Sequence, residues 1–158
     1  LGAEKTVIGA VHGWAAGGGL EWMINCDLVI MADTARCFFP ETSLGLFVTG
    51  GVTALLPRIV GLQRARAMIL LGEKFGAAEA LEMGLAWKVV PEADLFEVAQ
   101  ATGERIAALP ARSVRDLKRV MGAAQGIDME AVLDLETEAT AESFRDPASH
   151  ARVGEFGS

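Results

Sequence analysis

A glutamate two positions after a run of three glycines is the feature of this sequence that most clearly suggests chemistry. Gly17, Gly18 and Gly19 are followed by Leu20 and Glu21. Where a strand turns into a helix, glycines let a ligand approach the backbone, and the first N–H groups of the helix have no partner within it. Such a turn can hold a phosphate or the oxyanion of a polarised carbonyl, with Glu21 beside it. Alternatively, the small residues only let a strand and a helix pack closely.

The phosphate alternative is the weaker one. The sequence has no G-x-x-x-x-G-K-[ST] motif, and its consecutive glycines lack the G-x-G-x-x-G spacing of a dinucleotide site. The carboxylate of Glu21 would also repel a phosphate. Oxyanion binding and tight packing therefore remain as the two interpretations of the turn.

Glu41 is the second acid that could take part in catalysis. It follows Pro40 at the end of an apolar run, and no other charged residue lies between positions 38 and 48. Burial there would favour the protonated carboxyl, which is the form that a general acid needs. The alternative is an ordinary solvated loop residue.

The order of apolar runs and turn residues predicts an α/β core that positions these two acids. The predicted strands are 6–11, 28–32, 35–39 and 85–90, and the predicted helices of the core are 20–26, 53–60, 62–71 and 77–83. The strand 6–11 is expected to lead into the glycine turn. The core is predicted to be one domain, residues 1–91.

From residue 92 onward the strands stop, and residues 92–158 are predicted to form an all-helical region. A capping box at 94–97 opens the first of four helices. Asp128 is expected to cap the third, and Asp146 followed by Pro147 to begin the fourth.

Composition excludes several classes of function. The chain has 158 residues, 51% of them hydrophobic, and a net charge of −7, which suits a globular domain and argues against non-specific nucleic-acid binding. No apolar stretch reaches the roughly 18 residues that a bilayer span needs. Cys26 and Cys37 lie in apolar surroundings without metal-ligand spacing, so we expect reduced core residues of a cytoplasmic protein, with no metal and no membrane partner.

Together, these motifs resemble the crotonase (enoyl-CoA hydratase/isomerase) superfamily. Residues 10–21, with Cys26-Asp27 after them, are similar to the hallmark of that family, and Phe39-Pro40-Glu41 followed by Leu44-Gly45 is similar to its second acidic motif. Further matches are Gly72-Glu73-Lys74, Ala77-Ala78-Glu79-Ala80, Gly84-Leu85, Pro110 and Lys118. The resemblance implies a spiral of ββα units and a helical C-terminal region that drives assembly into a homotrimer or hexamer.

The resemblance also implies a site for an acyl-CoA thioester, whose enolate oxyanion is held by two backbone N–H groups. Gly18 matches one of these donors. The segment that supplies the other donor has no match in this chain, which resembles roughly the second part of a complete family member. By the same resemblance, Glu21 is the water-activating base and Glu41 the acid. The expected substrate-binding residues are Gly17, Trp14, Trp22 and Lys118.

Within that family, members with both acids are mostly hydratases. The resemblance therefore implies hydration of a trans-2-enoyl-CoA to a 3-hydroxyacyl-CoA, with no cofactor beyond the coenzyme A of the substrate. Residues 48–55 depart from the Pro-Gly-Ala-Gly-Gly-Thr-Gln-Arg type of segment found in many hydratases, which leaves the acyl chain open. The alternatives are an isomerase, another crotonase-type lyase or hydrolase, or an inactive fragment whose helices mediate assembly.

Overall fold

The computed structural model describes residues 3–124, 126 and 128–147. The described chain forms two compact units, one of Val7–Thr102 and one that combines residues 3–6 with the described part of 103–147. The glycine turn and both acids lie in the first unit. The domain boundary between residues 91 and 92 stays a prediction.

The strands of the described residues form two three-stranded sheets. In the first, β1 (Ile8–Val11), β3 (Leu28–Ala32) and β6 (Lys88–Val90) are parallel, with β3 in the centre. In the second, β2 (Trp14–Ala16) runs parallel to β4 (Arg36–Phe38), which pairs in antiparallel fashion with β5 (Phe75–Gly76). Strands that follow each other in the chain thus belong to different sheets: β1 and β3 lie in the first sheet, and β2 and β4 lie in the second.

The central strand explains the long apolar run in the sequence. Ile30 pairs with Ala10 on one side and with Lys88 on the other, and its side chain is fully buried. A parallel strand with neighbours on both sides and both faces covered carries apolar residues continuously rather than alternately.

Helices pack on these sheets. The first unit contains α1 (Gly18–Ile24), α2 (Val52–Val60), α3 (Leu62–Leu71), α4 (Ala77–Glu82) and the beginning of α5 (Leu95–Ala107). Its core includes Leu20 on α1, Phe39 after β4, and Val52 and Leu56 on α2, none of which is more than 1% exposed. The two helices next to the site, α1 and α2, therefore contribute directly to the core.

The second unit contains α6 (Ala111–Ala123) and α7 (Met129–Ser143). As predicted, Asp128 caps α7, since its carboxylate accepts a hydrogen bond from the N–H of Ala131 at 3.0 Å. Arg112 on α6 forms an ion pair with Glu142 on α7. None of the helices in the described residues combines the length and the apolar composition that crossing a bilayer requires.

Most predicted elements are confirmed within one or two residues, but two strands were missed and one connection was wrong. β2 and β5 are three and two residues long, too short to carry a recognisable pattern. As a result, the strand that leads into the glycine turn is β2, not the strand ending at Val11. The strand predicted over 85–90 is shorter and begins at Lys88. The helix predicted from Asp146 lies largely outside the described residues.

Candidate active site

The glycine turn joins β2 to α1 and is fixed by its own backbone. The N–H of Gly17 donates to the carbonyl of Phe38 at 3.1 Å, and the carbonyl of Gly17 accepts from the N–H of Glu21 at 2.9 Å. Gly17 has φ +52° and ψ −119°, which a residue with a Cβ adopts only under strain. Gly18 is the first residue of α1.

Glu41 lies against the same glycine. An ideal Cβ at Gly17 would stand only 2.5 Å from the Oε1 atom of Glu41. The residue is 8% exposed, and its Oε2 atom has no hydrogen-bond partner among the described residues. Glu41 is therefore a buried carboxyl with one oxygen available, and the alternative of a solvated loop residue is wrong.

Glu21 is also buried, and both of its carboxylate oxygens are held by one residue. It is 7% exposed. The Oε1 atom accepts from the backbone N–H of Thr49 at 2.5 Å, and the Oε2 atom accepts from the Thr49 hydroxyl at 2.6 Å. Hydrogen bonds to an ionised acceptor are shorter and stronger than neutral ones, so this pair of donors fixes the orientation of the carboxylate.

Asn25 ties the loop that carries Thr49 to helix α1. Its side-chain amide donates to the carbonyl of Glu21 and to the carbonyl of Gly50, both at 2.8 Å. Gly50 has φ +61°, and a Cβ there would lie 3.4 Å from both the Asn25 Nδ2 atom and the Glu21 Cβ atom. The loop is therefore packed closely on Glu21.

Sequence reasoning did not find Thr49 or Asn25 as site residues. Thr49 stands in front of Gly50 and Gly51 in a stretch without charges. The signal that could have been used is a hydroxyl residue next to two glycines. Glycines in tandem let a loop approach another part of the chain closely, so the hydroxyl before them can reach a buried acid. Asn25 gives no comparable signal, since an Asn after a short helix is common at helix ends.

The predicted substrate-binding residues lie at different places. Trp14 is 60% exposed, meets Phe38 edge-on at 5.7 Å between ring centroids, and has the Nζ atom of Lys74 at 5.2 Å from its ring centroid. Trp22 on α1 is 81% exposed. Lys118 belongs to the second compact unit, where its ammonium donates to the carbonyl of Lys5 at 2.7 Å.

A surface cavity of about 470 Å³ also borders Trp14, but neither Glu21 nor Glu41 lines it. Its other lining residues include Arg36, Lys74 and Glu79. Cavity size therefore does not single out Glu21 and Glu41, whereas their burial beside the glycine turn does.

A family model for enoyl-CoA hydratase/isomerase proteins matches residues 1–155. The chain belongs to the enoyl-CoA hydratase/isomerase family. This match confirms the resemblance to the crotonase superfamily, from which the roles of the two acids were predicted.

Relatives in this family carry two kinds of name. The chain is 36% identical over 141 residues to the short-chain-enoyl-CoA hydratase of Clostridium acetobutylicum, covering 89% of this chain and 54% of that protein. It is also 36% identical over 134 residues to the 1,2-epoxyphenylacetyl-CoA isomerase of Escherichia coli K12, covering 85% of this chain and 51% of that protein. The chain thus spans about half the length of these curated relatives.

Solved structures of the family share the fold. An enoyl-CoA hydratase from Bacillus anthracis superimposes with a TM-score of 0.93 at 32% identity, over 98% of this chain and 60% of that one. A Geobacillus kaustophilus enoyl-CoA hydratase subunit also gives a TM-score of 0.93, at 27% identity, over 97% of this chain and 60% of that one. The predicted fold, part of a crotonase-like α/β spiral followed by helices, is confirmed.

Proposed function

We propose that the protein is an enoyl-CoA hydratase, which adds water across the Cα=Cβ bond of a trans-2-enoyl-CoA to give a 3-hydroxyacyl-CoA. The observation that carries this proposal is that two buried glutamates lie at one glycine turn. Oε1 of Glu41 lies over Gly17, and Glu21 is in the first turn of the helix that Gly17 caps. Paired carboxyl groups can divide base and acid work between them.

In the proposed reaction, the ionised carboxylate of Glu21 takes a proton from water while the water oxygen bonds to Cβ of the substrate. The π electrons of the double bond move toward the thioester oxygen, where the N–H of Gly18 and a second donor stabilise the enolate. The protonated Glu41 then delivers its proton to Cα as the carbonyl reforms. Transfer of the proton from Glu21 to Glu41 restores the starting state, and no cofactor is consumed.

The substrate-binding roles of Gly17, Trp14, Trp22 and Lys118 belong to the same proposal. Trp22 follows Glu21 on α1 and exposes 81% of its surface, so its ring is available to an acyl chain. Lys118 carries a positive charge suited to a coenzyme A phosphate.

Loss of the conjugated enoyl-thioester absorbance tests this function. Glu21→Gln and Glu41→Gln should each slow turnover by about 10²–10⁴-fold, which is the usual contribution of a general acid or base. Glu97→Gln, at an exposed position on α5, is the matched control and should turn over like the parent protein. Unchanged rates in both active-site variants would show that the assignment is wrong.

Isomerisation is the second candidate, because the isomerase from E. coli is as similar to this chain as the hydratase from C. acetobutylicum. Mass spectrometry of the product separates the two reactions. Hydration adds the mass of one water to the substrate, whereas isomerisation leaves the mass unchanged.

The proposal extends to assembly as a homotrimer or hexamer through the C-terminal helices. Several large apolar side chains of α6 and α7 are more than half exposed: Leu117, Met121, Met129 and Leu133. Light scattering of the purified protein should give a mass of three or six chains, and a monomeric mass would contradict the assembly proposal.

A further inference from the structure

We infer that Thr49 is a positioning residue for Glu21: its hydroxyl, together with its backbone N–H, holds the carboxylate in the orientation in which Glu21 acts as the base. This inference rests on the proposed paired-glutamate chemistry. It concerns the side chain of Thr49, whose segment departs from the pattern of many hydratases.

The first step of the argument is the number of donors at Glu21. Thr49 supplies two, the backbone N–H to Oε1 and the hydroxyl to Oε2. Hydrogen bonds donated to a carboxylate stabilise its charged form. Each oxygen of Glu21 retains a further acceptor site, because a carboxylate oxygen has two lone pairs. Glu21 can therefore be held by Thr49 and still accept a hydrogen bond from a water.

The second step is the contrast with Glu41. Glu41 is buried to the same degree as Glu21, at 8% and 7% exposed respectively, but its Oε2 atom has no partner among the described residues. The two acids thus differ in that both oxygens of Glu21 accept hydrogen bonds from Thr49, whereas Oε2 of Glu41 accepts none from the described residues.

The third step is the rigidity of the loop. Asn25 hydrogen-bonds both the Glu21 carbonyl and the Gly50 carbonyl, so the residue after Thr49 is tied to the helix that carries Glu21. The Thr49 carbonyl accepts from the N–H of Val52 at the start of α2. Because the carbonyls of Thr49 and Gly50 are anchored independently of the Thr49 hydroxyl, removal of the hydroxyl alone should leave the loop in place.

The test compares Thr49→Val, which removes only the hydroxyl, with Thr49→Ser, which keeps it. Thr53→Val, at an exposed position on α2, is the matched control. A crystal structure of each variant shows the orientation of the Glu21 carboxylate. In Thr49→Val the carboxylate should leave the orientation that it has in the parent protein, because Oε2 loses its donor. Thr49→Ser and Thr53→Val should keep the parent orientation.

Kinetics provide a second readout. In Thr49→Val, kcat should fall about ten- to a hundredfold while KM stays, because Thr49 contacts Glu21 rather than substrate. Thr49→Ser should restore kcat to near the parent value.

An unchanged orientation of the Glu21 carboxylate in Thr49→Val, or an equal change in Thr49→Ser, would overturn the inference. If Thr49→Val does not fold, Thr49→Ala replaces it. Failure of both to fold would also overturn the inference, since the hydroxyl would then serve the fold rather than Glu21. Absence of turnover in the parent protein would contradict the proposed hydratase function, while the crystal structures of the variants would still decide whether Thr49 positions Glu21.

Discussion

The carboxylate of Glu41 occupies the space in which a side chain at Gly17 would stand. The Oε1 atom lies 2.5 Å from an ideal Cβ position on that glycine, which is much closer than real Cβ contacts. Gly17 also has a positive φ and begins the helix that carries Glu21. One glycine therefore determines both the start of the helix and the position of the second acid.

Gly17→Ala should consequently disrupt the site and the fold together. We expect a loss of about 1–3 kcal/mol in the free energy of unfolding from the backbone conformation, together with displacement of the Glu41 carboxylate by the new Cβ. Gly19→Ala is the control, because Gly19 is helical and a Cβ there meets no atom within 4 Å. Urea denaturation of both variants measures the difference, and equal stability would contradict the strain at Gly17.

Gly72→Ala should displace the backbone that leads to Glu41. Gly72 ends α3 with φ +61°, and a Cβ there would lie 2.8 Å from the carbonyl oxygen of Phe39, two residues before Glu41. We expect destabilisation by at least about 1–3 kcal/mol. Gly122→Ala on α6, where the added Cβ meets nothing within 4 Å, should not destabilise. Thermal unfolding of the two variants provides the comparison.

Asn25→Ala should loosen the loop that carries Thr49. The substitution removes two hydrogen bonds, to the carbonyls of Glu21 and Gly50, and we expect a loss of about 1–3 kcal/mol. Amide hydrogen exchange of residues 49–51 should accelerate in this variant. Gln63→Ala, at an exposed position on α3, serves as control, and the same acceleration there would argue against a specific tether.

Cys37 should make stability depend on alkaline pH. Burial raises the pKa of the Cys37 thiol from 9.0 to about 11. Between these values the folded protein retains a proton that the unfolded chain has lost, so stability falls as pH rises from about 9 through 11, while below pH 9 the contribution is complete.

The measurement is the slope of the unfolding free energy against pH. Cys37→Ala should flatten the slope above pH 9 by up to about 1.4 kcal/mol per pH unit. A Cys37→Ala slope equal to that of the parent protein would rule out this linkage.

Local sequence signals predicted the long elements and both acids, because these depend on apolar runs, glycines and an isolated charge. Helix α3 was predicted with its observed bounds. The signals did not predict β2 and β5, whose pairing with β4 comes from the tertiary structure rather than from residue pattern. Nor did they predict Thr49, because its hydrogen bonds to Glu21 span 28 positions and require the folded loop.

The space shared by Gly17 and Glu41 makes the two positions vary together. In a library randomised at both positions and selected only for folding, residues other than glycine at 17 should occur with side chains shorter than glutamate at 41. Selection for turnover should return the parental pair. Selection that retains the reaction, and with it Glu41, therefore also opposes substitutions at Gly17.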